Sequence, residues 1–481
     1  MSVKNRKLRI VAGSLAMVMA ISSLMGCSAK KQTVSVDIKP MEAEEIYSYS
    51  FDMIGGSDVM PLTGYFGPCL PMQSYGGNNQ PSSLTDEWYQ AVVDCGINVL
   101  TYPQIDYKSA PEATMKMLDL AEKYKIAQLV FDSELMASYE ATKEEVVEMM
   151  SEYLTHPAFA GFFLYDEPGN AITVPSRTHL SQLAKLSNIL NNDLNMYVYC
   201  NLLGGGTPSD TYVAYLKEYC ETHGQTHISF DYYPEFNPET AKTNSYEDYF
   251  SNLAIIRQIA NEYKMPFWSY VAAGSQWNDA RDYIETKGYY PEEGQFDWNV
   301  NTSLAFGAKG INYFILNQPY WFAYGPEEGV YDFERNGLFG AYGNKTRWYY
   351  YTQDINKQIV AIDDVLMNSV NKGVIATGKA YSAMKNINED NNLDRSVIIE
   401  EGAWRELANV SGDAIVGCFN YLGKTALYVV NYDFDYAQKI DLSFVKECNV
   451  KVIQNAKTTY VKGESMTLDM PAGDGVLLVF E

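Results

Sequence analysis

Two adjacent carboxylates, Asp166 and Glu167, are the residues of this sequence best placed to do chemistry. They follow an unbroken apolar run, Phe162–Tyr165, and Pro168-Gly169 then turns the chain. A run that is apolar at every position is typical of a strand buried on both faces, and the chemistry of such parallel sheets lies at the carboxyl ends of their strands. A carboxyl in a partly apolar cleft beside a second carboxylate holds its proton more tightly than usual, which suits proton donation.

The elements that must position this pair alternate regularly between about residues 60 and 365. A short apolar strand, a polar turn and an amphipathic helix recur eight times, which predicts an α/β fold, a (β/α)8 TIM barrel. A doubly wound open sheet would need a glycine-rich phosphate loop after its first strand, and the sequence has none there. The predicted strands are Leu62–Leu70, Asn98–Tyr102, Ala127–Phe131, Gly161–Tyr165, Met196–Cys200, His227–Tyr232, Phe267–Ala272 and Gly310–Leu316, and the last predicted helix covers residues 345–367.

Polar and aromatic side chains follow the predicted strands at the end where the acidic pair lies. This end collects carboxylates, amides and aromatic planes, with almost no Lys, Arg or His. The mixture suits a carbohydrate, because amides and carboxylates bind hydroxyl groups and aromatic rings stack on the C–H faces of sugars. Asp231 is a further candidate carboxylate, and the candidate substrate-binding residues are Asn201, Tyr232, Tyr233, Glu235, Trp268, Gln276 and Trp277.

Composition argues against several other classes of function. The chain has 481 residues and a net charge of −24, which disfavours nucleic acid and anionic lipid as partners. The seven cysteines show no CxxC spacing, and the four histidines lie at no metal-binding spacing. We therefore expect neither a metal site nor a cofactor, and we interpret the cysteines as small buried residues. Disulfide formation is left open.

The first 26 residues have the pattern of an export signal. A basic start precedes an apolar stretch, Ile10–Met25, which is too short and wrongly flanked for a stable membrane span. The tetrapeptide Leu24-Met25-Gly26-Cys27 resembles the bacterial lipobox, in which the cysteine is acylated and becomes the mature amino terminus. This resemblance implies a lipid anchor at Cys27 on the cell membrane, outside the cytoplasm, and the polar residues 27–45 are predicted to be its tether.

Beyond about residue 369 the pattern changes to alternating strands with polar turns, which predicts a small antiparallel β-sandwich domain. The chain is therefore divided into a signal peptide (1–26), a tether (27–45), a barrel (46–368) and a C-terminal β-sandwich (369–481), and a structural role is expected for the last. Its predicted strands are Ala414–Phe419, Ala426–Tyr432, Lys439–Phe444, Val450–Ile453, Ser465–Leu468 and Val476–Phe480.

Residues 60–365 resemble the barrel glycoside hydrolases of the broad superfamily that includes clan A, whose acid/base glutamate follows the fourth strand. Glu167 matches that position. The β-domain that follows, which ends with Pro471–Phe480, also resembles the sandwich appended to many such enzymes. The sequence departs from clan A at two points. Asp166 stands where an Asn usually precedes the acid/base, and no Glu follows the seventh strand, where Gln276 is the nearest candidate.

The adjacent Asp-Glu pair resembles that of the family 20 and 123 hexosaminidases, in which the substrate's own 2-acetamido group is the nucleophile. This resemblance implies that Glu167 is the acid/base, that Asp166 orients the acetamido group, and that Tyr232 or Tyr233 holds its oxygen. Asp231, with Glu235 less favoured, remains an alternative nucleophile or base. Two carboxyls about 5–5.5 Å apart would indicate a protein nucleophile with retention, and about 6.5–9.5 Å would indicate inversion.

The sequence thus predicts a cell-surface glycoside hydrolase that cleaves O-glycosidic bonds of an oligo- or polysaccharide. Glu167 is the expected general acid/base, and Asp166 is the expected stabiliser of the transition-state charge or of an acetamido group. The alternative is a non-catalytic glycan-binding lipoprotein on the same barrel, which needs no second catalytic group. A third hypothesis, a structural surface protein, predicts no pocket at the strand ends. Sugar identity, linkage and oligomeric state are left open.

Overall fold

A closed barrel of eight parallel strands contains the acidic pair. The computed structural model describes residues 38–73, 79–169, 180–205, 210–223, 226–238, 245–276, 289–319, 334–385, 387, 398–399 and 403–481. Each barrel strand pairs in parallel with the next along the chain, and the eighth closes on the first. The predicted (β/α)8 fold is therefore confirmed. The strands are β1 (Leu62–Gly64), β2 (Val99–Leu100), β3 (Ala127–Val130), β4 (Phe159–Asp166), β5 (Tyr197–Leu203), β6 (Ile228–Asp231), β7 (Phe267–Ala272) and β8 (Ile311–Phe314).

Helices follow the barrel strands, as this fold requires. Several begin at residues whose side chains bond the first-turn N–H groups, such as Thr85 and the capping box of Thr142 with Glu145. The predicted final helix is two helices, because Asp363 and Asp364 start a new first turn, where acidic side chains are favourable. The helices are α1 (Asp86–Asp94), α2 (Pro111–Tyr124), α3 (Ser133–Met136), α4 (Lys143–Met149), α5 (Leu180–Asn188), α6 (Asp210–Thr222), α7 (Ser245–Tyr263), α8 (Glu293–Ala305), α9 (Arg347–Val360), α10 (Asp363–Met367) and α11 (Lys379–Met384).

Strand β4 is buried on both faces, as its apolar run predicts. Phe162 and Leu164 belong to the large core between the barrel and its helices, whereas Phe163 belongs to a second core inside the barrel. Inside, the Phe163 ring stacks on Tyr199 with a centroid distance of 5.7 Å. Gly161 is required by close packing, since a Cβ there would lie 2.1 Å from the Tyr197 carbonyl oxygen of β5.

Aromatic side chains fill the amino end of the barrel interior. The segment before β1 contributes Phe51, whose ring lies 4.9 Å from Tyr197 and 6.5 Å from Trp268. His227, just before β6, lies between Tyr197 and Trp268, with ring distances of 5.0 and 4.6 Å. We call Phe51, Tyr197, His227 and Trp268 the aromatic floor.

The C-terminal sheet is antiparallel except for one parallel pair at an edge, β9 with β10. The predicted strands Lys439–Phe444 and Val450–Ile453 are parts of one long strand, β14, because its hairpin partner β15 pairs with both parts across a register shift. The strands are β9 (Ser369–Ala376), β10 (Ile398–Ile399), β11 (Leu407–Ser411), β12 (Ala414–Tyr421), β13 (Lys424–Asn431), β14 (Gln438–Gln454), β15 (Lys457–Met470) and β16 (Gly475–Phe480), in the order β10-β9-β12-β13-β16-β14-β11 with β15 on β14.

The sheet packs directly on the barrel helices. A Cβ at Gly417 would lie 2.2 Å from the carbonyl oxygen of Ala305 in α8, so the two backbones approach closely there. Nearby, the Tyr428 hydroxyl donates to Asn301 Oδ1 at 2.7 Å. The six cysteines among the described residues are all buried and free. Within the same residues, no helix is both long enough and apolar enough to cross a membrane.

Candidate active site

Strand β4 ends at Asp166, and Glu167 follows it in an unusual backbone conformation. The pairing of β4 with β5 shifts register between Phe163 and Tyr165, which changes the direction of the strand end. The Glu167 N–H donates to the Asn201 carbonyl oxygen at 2.9 Å, and its φ is +47°. A left-handed conformation costs a non-glycine residue about 1–2 kcal/mol. Such backbone strain is concentrated at functional sites.

Asp166 accepts hydrogen bonds from side chains on the adjacent strand β5 and just after β1, which is not adjacent to β4. The hydroxyl of Tyr65, which directly follows β1, donates to Asp166 Oδ2 at 2.8 Å. From β5, Asn201 Nδ2 donates to Asp166 Oδ1 at 3.4 Å. Burial and the charge of Asp166 raise the pKa of Tyr65 far above its usual range, so its hydroxyl stays neutral and remains a donor. Both contacts suit a carboxylate at Asp166.

Asp231, at the end of β6, is hydrogen bonded to the Glu167 side chain. Its Oδ1 also accepts from Asn201 Nδ2 at 2.9 Å. Surrounding protein atoms and the charge of Glu167 raise the pKa of Asp231 to about 8. Two carboxyl groups in direct contact cannot both ionise at low cost, so the Glu167–Asp231 pair holds one proton near neutral pH.

This contact gives Asp231 a partner for proton exchange. Since its carboxyl is hydrogen bonded to that of Glu167, Asp231 is placed to share a proton with it. Asp166 is a further carboxyl beside the pair, bridged to Asp231 by the Asn201 amide.

The two predicted tyrosines after β6 point in different directions. Tyr233 is half-buried beside the carboxyls, and burial and the charges of Asp231 and Asp166 raise its pKa. Its ring lies 5.9 Å from Phe314 at the end of β8. Tyr232 instead stacks on Tyr249 of α7, at 6.3 Å between ring centroids. The structure thus brings Tyr233, and not Tyr232, to the acidic group.

Gln276 and Glu235 hold the segment that follows β6. The Gln276 Oε1 accepts from the N–H groups of Phe236 and Asn237 at 2.7 and 3.2 Å, and its Nε2 donates to the Pro234 carbonyl at 2.6 Å. Glu235 accepts from the Asn237 N–H at 3.0 Å. None of these bonds reaches the three carboxyls, so both side chains support this loop.

Trp268 lies in the aromatic floor, at the opposite end of the barrel interior. It is 0% exposed and packs on Tyr197 and His227. Its ring therefore has no face accessible to a sugar, and its role is to pack the interior of the barrel. Trp277 and Cys27 lie outside the described residues. Among the described residues, no group of three or more His, Cys, Asp or Glu side chains could hold a metal ion.

Tyr65 is a site residue that the sequence did not reveal. It lies inside the predicted strand Leu62–Leu70, away from the carboxyl end of that strand. Alternation along a strand limits each residue to one of two faces, but only the barrel shows which face meets Asp166. Tyr102, at the end of the predicted strand Asn98–Tyr102, also lies near this group, since burial and the charge of Asp166 raise its pKa.

No family model and no curated protein matches this chain. Several solved structures match its fold. A β-galactosidase from Bacillus circulans sp. alkalophilus has a TM-score of 0.53 and 10% identity, with coverage of 88% of this chain and 99% of that one. A catalytic mutant of a GH42 β-galactosidase from G. stearothermophilus has a TM-score of 0.50 and 10% identity, with coverage of 91% and 99%.

A β-galactosidase from the psychrophilic Marinomonas ef1 aligns with a TM-score of 0.45 and 13% identity over 68% of this chain and 65% of that one. At these identities the matches show the fold and not the activity. The chain therefore shares its barrel fold with the two β-galactosidases whose TM-scores are 0.53 and 0.50, and its acidic group lies at the carboxyl end of the barrel strands.

Proposed function

We propose that this protein is a glycoside hydrolase in which Glu167 is the general acid/base. The observation that carries this proposal is the hydrogen-bonded Glu167–Asp231 pair at the carboxyl end of the barrel, beside Asp166. The pair supplies one proton near neutral pH. Asp166, held by Tyr65 and Asn201, supplies a fixed negative charge. Glycosidic cleavage needs both, since its transition state is oxocarbenium-like.

The reaction follows from these positions. Glu167 gives a proton to the glycosidic oxygen as the bond to the anomeric carbon breaks. Asp166 stabilises the positive charge that develops there, or orients a substrate 2-acetamido group that attacks the same carbon. Water then attacks the anomeric carbon, and Glu167 takes back a proton. Asp231 shares the proton of Glu167 between these steps. The likeness of fold to the β-galactosidases supports a carbohydrate substrate.

Hydrolysis of a panel of aryl glycosides tests the proposal, with galactosides and N-acetylhexosaminides included. General acid–base catalysis contributes about 10²–10⁴-fold, so Glu167→Gln should lower kcat/KM on the best substrate by that factor. Glu140→Gln is the matched control, because that side chain is 94% exposed and forms only a surface ion pair with Lys185. Full activity in Glu167→Gln would overturn the site assignment.

A non-catalytic glycan-binding protein is the second candidate. It is favoured by the absence of any Asp or Glu in the described segment Phe267–Gln276, where clan A enzymes carry their nucleophile. Equilibrium binding of oligosaccharides by the wild type, with no reducing sugar released over the whole panel, would select this candidate. Turnover that depends on Glu167 would reject it.

We also propose that the mature chain is anchored to the bacterial cell membrane, outside the cytoplasm, through a lipid-modified Cys27. The tetrapeptide that ends at this residue supports the anchor. Metabolic labelling with a palmitate analogue should mark the wild type and spare Cys27→Ser, which should also leave the membrane fraction. Equal labelling of the two proteins would contradict the anchor.

A further inference from the structure

A layer of buried polar side chains lies inside the barrel just below the three carboxyls. Ser229 and Tyr199 each precede a site residue by two positions on the same strand, so they face the same interior one layer deeper. The side chains of this layer are 0% exposed: Thr101, Tyr199, Ser229 and Asn312.

The layer is connected by hydrogen bonds across the barrel. Ser229 Oγ donates to Asn201 Oδ1 at 3.0 Å, and the Tyr199 hydroxyl lies 2.8 Å from Ser229 Oγ. Behind Tyr199, Asn312 Nδ2 donates to its hydroxyl at 2.8 Å and to Thr101 Oγ1 at 3.3 Å. Ser229 is therefore the link between this layer and the amide of Asn201.

The Asn201 side-chain amide has a carbonyl oxygen and an NH2 group. Its orientation decides whether the carboxyls contact a hydrogen-bond donor or an acceptor. Its Nδ2 donates to Asp231 at 2.9 Å and to Asp166 at 3.4 Å. A flipped amide would turn its oxygen toward the carboxyls and its N–H groups toward the Ser229 hydroxyl. The carboxyl oxygens disfavour that flip, because they accept hydrogen bonds and an amide oxygen has none to donate. The Ser229 hydroxyl adds a hydrogen bond to the carbonyl end and so holds the amide where it lies.

We propose that Ser229 is a positioning residue of the candidate active site, which fixes the Asn201 amide so that both of its N–H bonds point to Asp231 and Asp166. This role rests on the proposed hydrolase function for its catalytic consequence. It also reassigns Asn201, predicted to bind substrate, since its side chain is 3% exposed and its polar atoms are bonded within the protein.

Loss of the Ser229 hydroxyl should change the titration of the carboxyl pair. The bond from Asn201 lowers the pKa of Asp231, so a mobile Asn201 amide should raise that pKa further. The titratable groups that face Asp231 among the described residues are Glu167, Asp166, Tyr233 and Tyr212. Ser229→Ala leaves all four in place, so the shift would report the amide alone.

The experiment compares Ser229→Ala with Ser269→Ala. Ser269 lies on the adjacent strand β7, is 1% exposed and bonds Ser303 at 3.0 Å outside the layer. A lost hydrogen bond near a charged group is worth about a tenfold change. Ser229→Ala should therefore lower kcat/KM about tenfold on the best aryl glycoside and move the alkaline limb of its pH profile upward. Ser269→Ala should do neither.

A double-mutant cycle tests whether Ser229 acts through Asn201. Asn201→Ala and the double variant Ser229→Ala/Asn201→Ala should have the same kcat/KM and the same pH profile. Additive losses in the double variant would overturn the proposal. So would equal effects of Ser229→Ala and Ser269→Ala.

A second readout needs no turnover. The infrared C=O stretch of a protonated carboxyl, with Asp231→Asn as the subtraction reference, follows the ionisation of Asp231 directly. Its midpoint should rise in Ser229→Ala and stay at the wild-type pH in Ser269→Ala. If the wild type cleaves no glycoside and this shift is seen, the hydrolase function fails while the positioning role stands. An unmoved midpoint overturns the positioning role, whatever the activity.

Discussion

The two ends of the barrel interior are built from the same strands, but they shift the pKa of their buried titratable groups in opposite directions. His227, just before β6, and Asp231, at its end, lie four residues apart, so their side chains face the same interior. Burial lowers the pKa of His227 to about 3, and burial with the charge of Glu167 raises that of Asp231 to about 8. Both groups are thereby neutral near pH 7.

His227 and Asp231 differ in the side chains that surround them. His227 is enclosed by the rings of Tyr197, Tyr199 and Trp268, and its Nε2 lies 3.2 Å from the Tyr197 hydroxyl, whose pKa is raised by burial. Asp231 meets Glu167 and Asn201 at the end of the barrel where the strands finish. Desolvation alone thus makes a stable floor, whereas desolvation beside a second carboxyl makes a proton donor.

The largest expected effect is the loss of stability caused by a mutation in the aromatic floor. Phe51→Ala should lower the free energy of unfolding by about 3–5 kcal/mol, because it removes a buried ring that packs on both Tyr197 and Trp268. Urea denaturation measures it, and kcat per folded molecule should be unchanged. Tyr350→Ala is the control, since that side chain is 53% exposed and should cost little. A large loss of kcat in folded Phe51→Ala would contradict the assignment of stability to the aromatic floor and of catalysis to the carboxyl end.

At the carboxyl end, Tyr65→Phe should affect activity more than stability. It removes the Tyr65 hydroxyl that donates to Asp166, and a hydrogen bond to a charged group is worth about 1.5–3 kcal/mol, or about 10–150-fold in kcat/KM. The control is Tyr107→Phe, which removes a bond of 2.7 Å to the carboxylate of Glu152 on the surface. Equal kinetics for the two variants would show that Asp166 does not need Tyr65.

His227 should make the protein less stable in acid. Its pKa is lowered in the fold, so its contribution is fully present above the unfolded value near 6.5 and is lost as the pH falls toward 3. The slope is at most about 1.4 kcal/mol per pH unit. His227→Gln should flatten this loss in urea denaturation between pH 6.5 and 4. Parallel curves for the two proteins would refute the buried neutral imidazole.

Asp231 should affect the alkaline side of the pH profile of activity. Its pKa is raised in the fold, so its proton is present below about 8 and is lost above it. We expect kcat/KM to fall by about tenfold per pH unit above that value. Asp231→Asn should abolish this transition near pH 8 and lower kcat/KM at neutral pH, because Glu167 then has no carboxyl with which to share a proton. The pH profile of both proteins checks it. An identical limb in Asp231→Asn would assign the titration to another group.

The sequence alone is sufficient to predict the barrel and the position of the acidic pair at the end of its fourth strand. Apolar runs of strand length, separated by amphipathic helices, predict eight strands, since burial on two faces leaves an unbroken apolar signal. Glu167 and Asp166 lie at the carboxyl end of β4, as the run Phe162–Tyr165 predicts. These are local properties, because each depends only on neighbouring residues along the chain.

Only the tertiary structure decided which side chains meet. Trp268 and Asn201 were both candidates from their positions near strand ends, yet one lies in the floor and the other orients two carboxyls. Tyr65 meets Asp166 across 101 positions of sequence, and Glu167 meets Asp231 between strands β4 and β6. Such contacts depend on which side chains of each strand point into the barrel and on the closure of the barrel. A one-residue change of register would reverse this orientation without altering the apolar pattern that predicts the strand.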